Sequence, residues 1–186
     1  CPYRPPEPFR GRFTAGLESG VNFSLCQWTY EDTAPVYKDG VQYWRVKTLP
    51  NGASPQTGLL SPSDVAYLIA LYDATVAESD YHLGAVFRAI KDLGLEKNTI
   101  IVLMSEHGEM LGENGWFMRG GAIRGQSYEL ALNFPLLIKH PNVKEPIVIK
   151  DIVQMVDLMP TLLQLLGIPD PQEALREGHA LALSEF

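Results

Sequence analysis

"LGLEKNTIIVLMSEHGEMLGENGW", residues 93–116, decides how the rest of the chain is read. A polar turn, EKNT, runs into TIIVLM (99–104), an unbroken series of β-branched and apolar residues. Such a series predicts a strand covered on both faces, as in a parallel sheet packed between helices. Upstream, residues 61–94 carry Val65, Leu68, Ile69, Tyr72, Val76, Leu83, Val86, Phe87 and Ile90 at helical spacing, which predicts one long helix or two joined with a kink, packed by one face. Ser63 is suited to cap the start of this helix and Gly94 to end it. Helix, short turn and buried strand together predict an α/β fold with helices packed on a mostly parallel β-sheet.

The same pattern continues more weakly downstream. SYELALNF is ambiguous, FPLLIKH (134–140) predicts a second buried strand, and PIVIKDIVQMV (146–156) suggests a third extended segment. DLMPTLLQLLGI (157–168) predicts a helix with Asp157 as N-cap, Pro160 in the tolerated first turn and Gly167 as its stop. Residues 1–60 are rich in Pro, Gly, Tyr and Trp and read as a loop-rich segment with short extended pieces, attached to the α/β portion of 61–186.

Composition narrows the partners. With 186 residues, 46% hydrophobic and 20% charged, the chain has the make-up of a globular protein with a sizeable core. A formal net charge of −7 argues against nucleic acid or an anionic membrane surface as the main partner. No apolar stretch reaches the roughly 18–20 residues of a membrane span. Two cysteines, Cys1 and Cys26, make no disulfide framework, so the compartment stays open.

Chemistry gathers where TIIVLM ends. In open α/β sheets, functional groups lie just beyond the carboxyl ends of strands, and Glu106 and His107 stand there side by side. Inside a strand they would point to opposite faces; after the exit, with Gly108 freeing the backbone, they can converge. A carboxylate oxygen and an imidazole nitrogen are both competent ligands for a divalent cation. Spacing alone equally allows a solvated Glu106 and a His107 that donates to a backbone carbonyl, because two adjacent ligands do not define a site.

Several ordered blocks then resemble the sulfatase family of the alkaline phosphatase superfamily. The long helix matches a Y-x-A-x-V-x-x-x-D-x-x-x-G pattern at Tyr72, Ala74, Val76, Asp80 and Gly84. LGLEKNTIIVLM, SEHGEMLGENG, RGQSYELALNFPLLI and VDLMPTLLQLLGI follow in the family's order, and CPYRPPEPF is similar to its PY-x-P-P-E-P-F loop. The resemblance implies a hydrolase of small-molecule or glycan sulfate esters with a partial alkaline-phosphatase-like domain. It implies a divalent metal ion at Glu106 and His107, usually calcium, with magnesium, manganese and zinc as alternatives. It also implies a basic residue that contacts the sulfate. Arg124 has the spacing to Tyr-Glu for that role, and Arg119 is the alternative.

Three departures qualify the resemblance. Glu106 replaces the family's usual Asp, and an arginine stands where Lys or His is usual; arginine can bind sulfuryl oxygens but cannot act as a general acid. Neither CPYRP nor LCQWTY carries the C-x-P-S-R type motif whose Cys or Ser becomes formylglycine, and the family's early Asp-Asp pair has no match. The expectation is therefore a catalytically incomplete piece of a longer enzyme, with the formylglycine upstream. A phosphate or phosphonate monoester hydrolase or phosphoryl transferase on the same fold is the first alternative; a non-catalytic domain is the second.

Overall fold

The computed structural model describes residues 3–21, 27–29, 36–49, 56–118, 128–170 and 177–181. Cys1, Cys26, Arg119 and Arg124 lie outside these residues. The chain divides into two compact units, one of residues 1–93 and 103–137, the other of residues 94–102 and 138–186.

The first unit opens with a short helix α1 (Phe9–Thr14), after a cis Glu7–Pro8 peptide. An antiparallel sheet follows, built from β1 (Gln27–Thr29), β2 (Val36–Lys38), β3 (Val41–Leu49) and β4 (Gln56–Leu60), with β3 pairing all three others. This is more order than loops with short extended pieces. The sign was in the sequence: β2 and β3 are joined by Asp39-Gly40, both at positive φ (51° and 78°). That two-residue turn matches the twist of a hairpin and suits Asp-Gly better than almost any other pair. The β-branched and aromatic residues of VQYWRV then favour an extended central strand.

The long helix α2 spans Pro62–Asp92, about 46 Å at 1.5 Å per residue. Its N-cap is Ser61, not Ser63, because Asp64 three residues on completes a capping box with Ser61. The Ser61 Oγ accepts from the Asp64 N–H at 3.2 Å, and Asp64 Oδ2 accepts from the Ser61 N–H at 2.9 Å. Ser19 Oγ donates to the other Asp64 oxygen at 2.5 Å. Burial alone pushes the Asp64 carboxyl up, but bonds from Ser19, Ser61 and the Gly20 backbone outweigh it and hold the group below its ordinary value. Gly94 follows the helix at φ +69°, as expected of a stop.

Only the first half of α2 is buried. Val65, Leu68 and Leu71 form a core with Leu60 and Phe117, whereas Val76 and Val86 are about half exposed. Asp80 is exposed because the covered face ends at Ala74.

Beyond α2, β5 (Ile101–Met104) and β8 (Leu136–Lys139) form a two-stranded sheet. Neither is fully buried: all four residues of β5 are half-buried and Leu137 of β8 is 57% exposed. Residues 146–153 form no strand. β6 (Met110–Leu111) and β7 (Phe117–Met118) make a small antiparallel hairpin, and α3 spans Glu129–Leu132.

In the second unit, α4 (Leu158–Leu165) starts after Asp157 as expected, but the Asp157 carboxylate does not cap it. Its oxygens accept from the Gln154 N–H at 2.8 Å and the His179 N–H at 2.9 Å, and these bonds lower its pKa. Thr161, fully buried, donates to the Asp157 carbonyl and accepts from the Leu181 N–H, clipping residues 177–181 onto α4.

The α2 capping box yields a stability prediction. Ser61→Ala is expected to cost about 1 kcal/mol in urea unfolding. The Asp64 carboxyl titrates lower in the folded chain than in the unfolded one. Its contribution is therefore complete above the unfolded value of about 3.9 and is lost as pH falls through the folded value. Urea unfolding at successive pH values below about 5 should show that decline, and Asp64→Asn should flatten it.

Candidate functional site

The pair at the exit of β5 does converge. His107 Nδ1 lies 2.6 Å from the Gly108 carbonyl oxygen, which can only accept, so Nδ1 carries the proton. The other nitrogen, Nε2, lies 3.2 Å from Glu106 Oε1. The imidazole bonds a backbone carbonyl, one of the readings that spacing left open, and its second nitrogen faces the carboxylate. With the ring neutral, Nε2 and the carboxylate are two lone-pair donors facing one point. That arrangement is satisfied by a proton on Nε2 or by a cation shared between the two. The Glu106 side chain is 81% exposed and that of His107 29%, so the point is reachable from solvent.

The loop holding the pair is anchored on both sides. Ser105 Oγ donates to the His107 carbonyl at 2.8 Å. The Gly108 N–H donates to the Ala131 carbonyl of α3 at 2.9 Å, and any Cβ at this position would lie 2.0 Å from the Leu130 oxygen and 2.4 Å from that of Asn133. Only glycine passes. Further along, the Tyr3 hydroxyl donates to Glu109 Oε1, and Met110 is fully buried. Tyr72 stacks edge-on against Tyr3 at 5.2 Å, and its phenol pKa is raised by burial, then by the charges of Glu109 and Asp73. Trp44 of β3 donates from its indole N–H to the Gly112 carbonyl at 2.7 Å, and its ring meets Phe117 at 6.4 Å. Phe117 therefore belongs to the core and not to a wall of the site, while Trp116 stays half-buried.

The sequence reading missed the Tyr3, Tyr72 and Glu109 cluster. Tyr3 and Tyr72 stand in two blocks of the resemblance and Glu109 in a third, but nothing in their spacing says that they touch. Arg119 and Arg124 lie outside the described residues. Among the described residues, no group of three or more His, Cys, Asp or Glu side chains is arranged to hold a metal ion. Glu106 and His107 thus offer two donor atoms and no third within the described residues. His82 is exposed on α2 against Tyr81, and His140 accepts from the Asn142 N–H. His179 lines a cavity of about 250 Å³ beside Pro160, Leu163 and Ile168, wholly within the second unit. No helix among the described residues is long and apolar enough to cross a membrane.

Known proteins resemble this chain over much of its length. The family model described as Sulfatase matches residues 2–168. Arylsulfatase K of Bos taurus is 34% identical over 116 residues, which is 62% of this chain and 21% of the relative. This chain therefore spans about a fifth of the length of the curated relative it matches. Among solved structures, the phosphonate monoester hydrolase SpPMH from Silicibacter pomeroyi is similar with a TM-score of 0.58 and 29% identity, covering 70% of this chain and 24% of that one. BT4656, bound to its substrate D-glucosamine-2-N,6-O-disulfate, is similar with a TM-score of 0.56 and 31% identity, covering 63% of this chain and 23% of that one.

The approach of Gly108 to α3 gives a direct check on the loop. Gly108→Ala forces a Cβ into the Leu130 carbonyl and is expected to destabilise the chain by at least about 2 kcal/mol in denaturant unfolding. A change under about 0.5 kcal/mol, the usual range for an unconstrained surface position, would show that the close approach is not maintained.

Proposed function

This chain belongs to the sulfatase family, and we propose that it forms part of a metal-dependent enzyme hydrolysing small-molecule or glycan sulfate esters. The observation that carries this reading within the chain is the convergence of Glu106 Oε1 and His107 Nε2 at the exit of β5. The family implies a metal ion, and we assign these two atoms as ligands from this chain. One carboxylate oxygen and one imidazole nitrogen serve calcium, magnesium, manganese or zinc; calcium is preferred on the family resemblance, and its flexible shell tolerates the longer Glu106. A bound divalent cation polarises the ester's sulfuryl oxygens and offsets their charge.

The chain's own residues supply the rest of this half-site. Glu106 and His107 hold the position, with the His107 tautomer set by the Gly108 carbonyl. Arg124, with Arg119 as the alternative, is assigned to the ester oxygens, where a guanidinium fork steadies developing negative charge. Formylglycine is the nucleophile this reading requires, and neither cysteine stretch of the chain carries its motif. Residues 1–60 and 61–186 are assigned to one catalytic domain. The sulfated sugar bound by BT4656 supports a glycan ester as the substrate class. The likeness to a phosphonate monoester hydrolase supports a second reading, hydrolysis of phosphonate or phosphate monoesters.

Two experiments test the reading. In the protein carrying this chain, Arg124→Ala is expected to lower kcat for p-nitrophenyl sulfate about 10²–10³-fold, the typical loss of one charge-stabilising donor. An equal loss from Arg119→Ala with none from Arg124→Ala would reverse their assignment, and faster turnover of phenylphosphonate monoesters would favour the second reading. Taken alone, the 186-residue chain is expected to bind calcium weakly in calorimetry, because two ligands leave most of the 6–8 positions to water. It should turn over neither ester; robust turnover abolished by Glu106→Ala would overturn the view that this chain supplies only part of the site.

A further inference from the structure

We propose that Tyr3 and Glu109 are positioning residues for His107: their hydrogen bond fixes the peptide plane between Gly108 and Glu109, and that plane decides which nitrogen of His107 faces Glu106. The inference rests on the reading of Glu106 and His107 as the cation pair.

The Gly108 carbonyl that accepts from His107 Nδ1 belongs to the peptide joining Gly108 to Glu109. Rotating that plane carries the oxygen away from the ring, and glycine offers the least intrinsic resistance to such rotation. The plane must therefore be held from outside. On one side, the preceding peptide, between His107 and Gly108, is held through the Gly108 N–H, which donates to the Ala131 carbonyl at 2.9 Å. On the other, the Glu109 carboxylate accepts from the Tyr3 hydroxyl, 106 residues away in sequence, and the next residue, Met110, is fully buried. Tyr3 is itself placed by Tyr72 of α2, whose ring meets it at 5.2 Å and 75°.

The consequence reaches the pair in two ways. With the carbonyl held 2.6 Å from Nδ1, the Nε2 lone pair is left 3.2 Å from Glu106 Oε1. The phenol also occupies a Glu109 oxygen, so the loop's second acid is engaged away from His107. Ligating histidines commonly give their other N–H to a carbonyl, and losing such an outer partner typically costs 10–100-fold in metal affinity. Here the carbonyl's placement is traced one step further, to a tyrosine at the far end of the chain.

The test reads the His107 ring nitrogens by long-range ¹⁵N NMR on the 186-residue chain with the ring neutral. The unsubstituted chain should show mainly the Nδ1–H tautomer. Tyr3→Phe and Glu109→Ala should each give a mixture, while Glu109→Gln, which keeps an acceptor oxygen for Tyr3, should restore the single form. Calcium calorimetry should show affinity falling about tenfold in Tyr3→Phe and Glu109→Ala and recovering in Glu109→Gln. Circular dichroism checks folding; where Tyr3→Phe fails to fold, the two Glu109 variants decide the matter without removing the ring. An unchanged tautomer ratio in Glu109→Ala sinks the proposal, as does a lowered Tm with that ratio intact, which would make the contact structural only. If Glu106→Gln leaves calcium affinity unchanged, the cation reading fails, and the tautomer ratio still decides whether Tyr3 and Glu109 position the ring.

Discussion

Everything around the candidate site depends on the passage of Gly108 between the carbonyls of Leu130 and Asn133. Because no side chain stands there, the loop leaving β5 can dock its backbone directly onto α3. That contact sets where Met110 enters the interior, and thus where the β6–β7 hairpin lies. The hairpin then delivers Phe117 to Leu60, Val65, Leu68 and Leu71, and its turn to the Trp44 indole. A single close approach of backbone to backbone couples the exposed acid–imidazole pair to the buried core of the first unit. The pair can remain open to solvent while the chain on either side of it is fixed.

The long helix shows how unevenly that core is distributed. Its first three turns are capped by Ser61 and Asp64 and covered by the core, whereas its second half presents Val76, Tyr81, Val86 and Phe87 to solvent. Tyr81 meets Phe9 of α1 at 5.8 Å, a contact too small to cover that face. A helix within a protein stays folded through tertiary packing more than through propensity, so the buried half anchors the exposed one. The Asp64 network matters for the same reason: a carboxylate with four donors around it fixes the start of α2, the end to which the core is attached.

The sequence made the long helix, the strand after it and the acid–imidazole pair legible because each rests on local signals. Periodicity, a terminal glycine and a β-branched run are read within a few residues of one another. What it did not make legible was non-local. Full burial of the two strands was inferred from their apolar content, but burial depends on what lies over them, and β5 and β8 are only half-covered by the described residues. Asp157 was placed correctly at the start of α4, yet its carboxylate serves Gln154 and His179, the second of which is 22 residues away. The Tyr3–Glu109 contact spans 106 residues, and no spacing rule reaches that far. The antiparallel sheet of residues 27–60 is a different case. Its Asp39-Gly40 turn was a local signal outweighed by the prolines and glycines around it.

Glu106 is the residue whose chemistry the geometry clarifies most. The family's usual Asp is one methylene shorter, about 1.5 Å less in reach. In this chain the near nitrogen of His107 is committed to the Gly108 carbonyl, so the nitrogen that faces Glu106 is Nε2, on the far side of the ring. Side chains of adjacent residues diverge as they leave the backbone, and meeting at the distal nitrogen takes more length than meeting at the proximal one. The extra methylene supplies that length, bringing Oε1 to 3.2 Å from Nε2. The longer side chain and the ring orientation thus meet in one contact: the Gly108 carbonyl holds Nδ1 at 2.6 Å, and the Glu106 carboxylate reaches the nitrogen left on the opposite side of the ring.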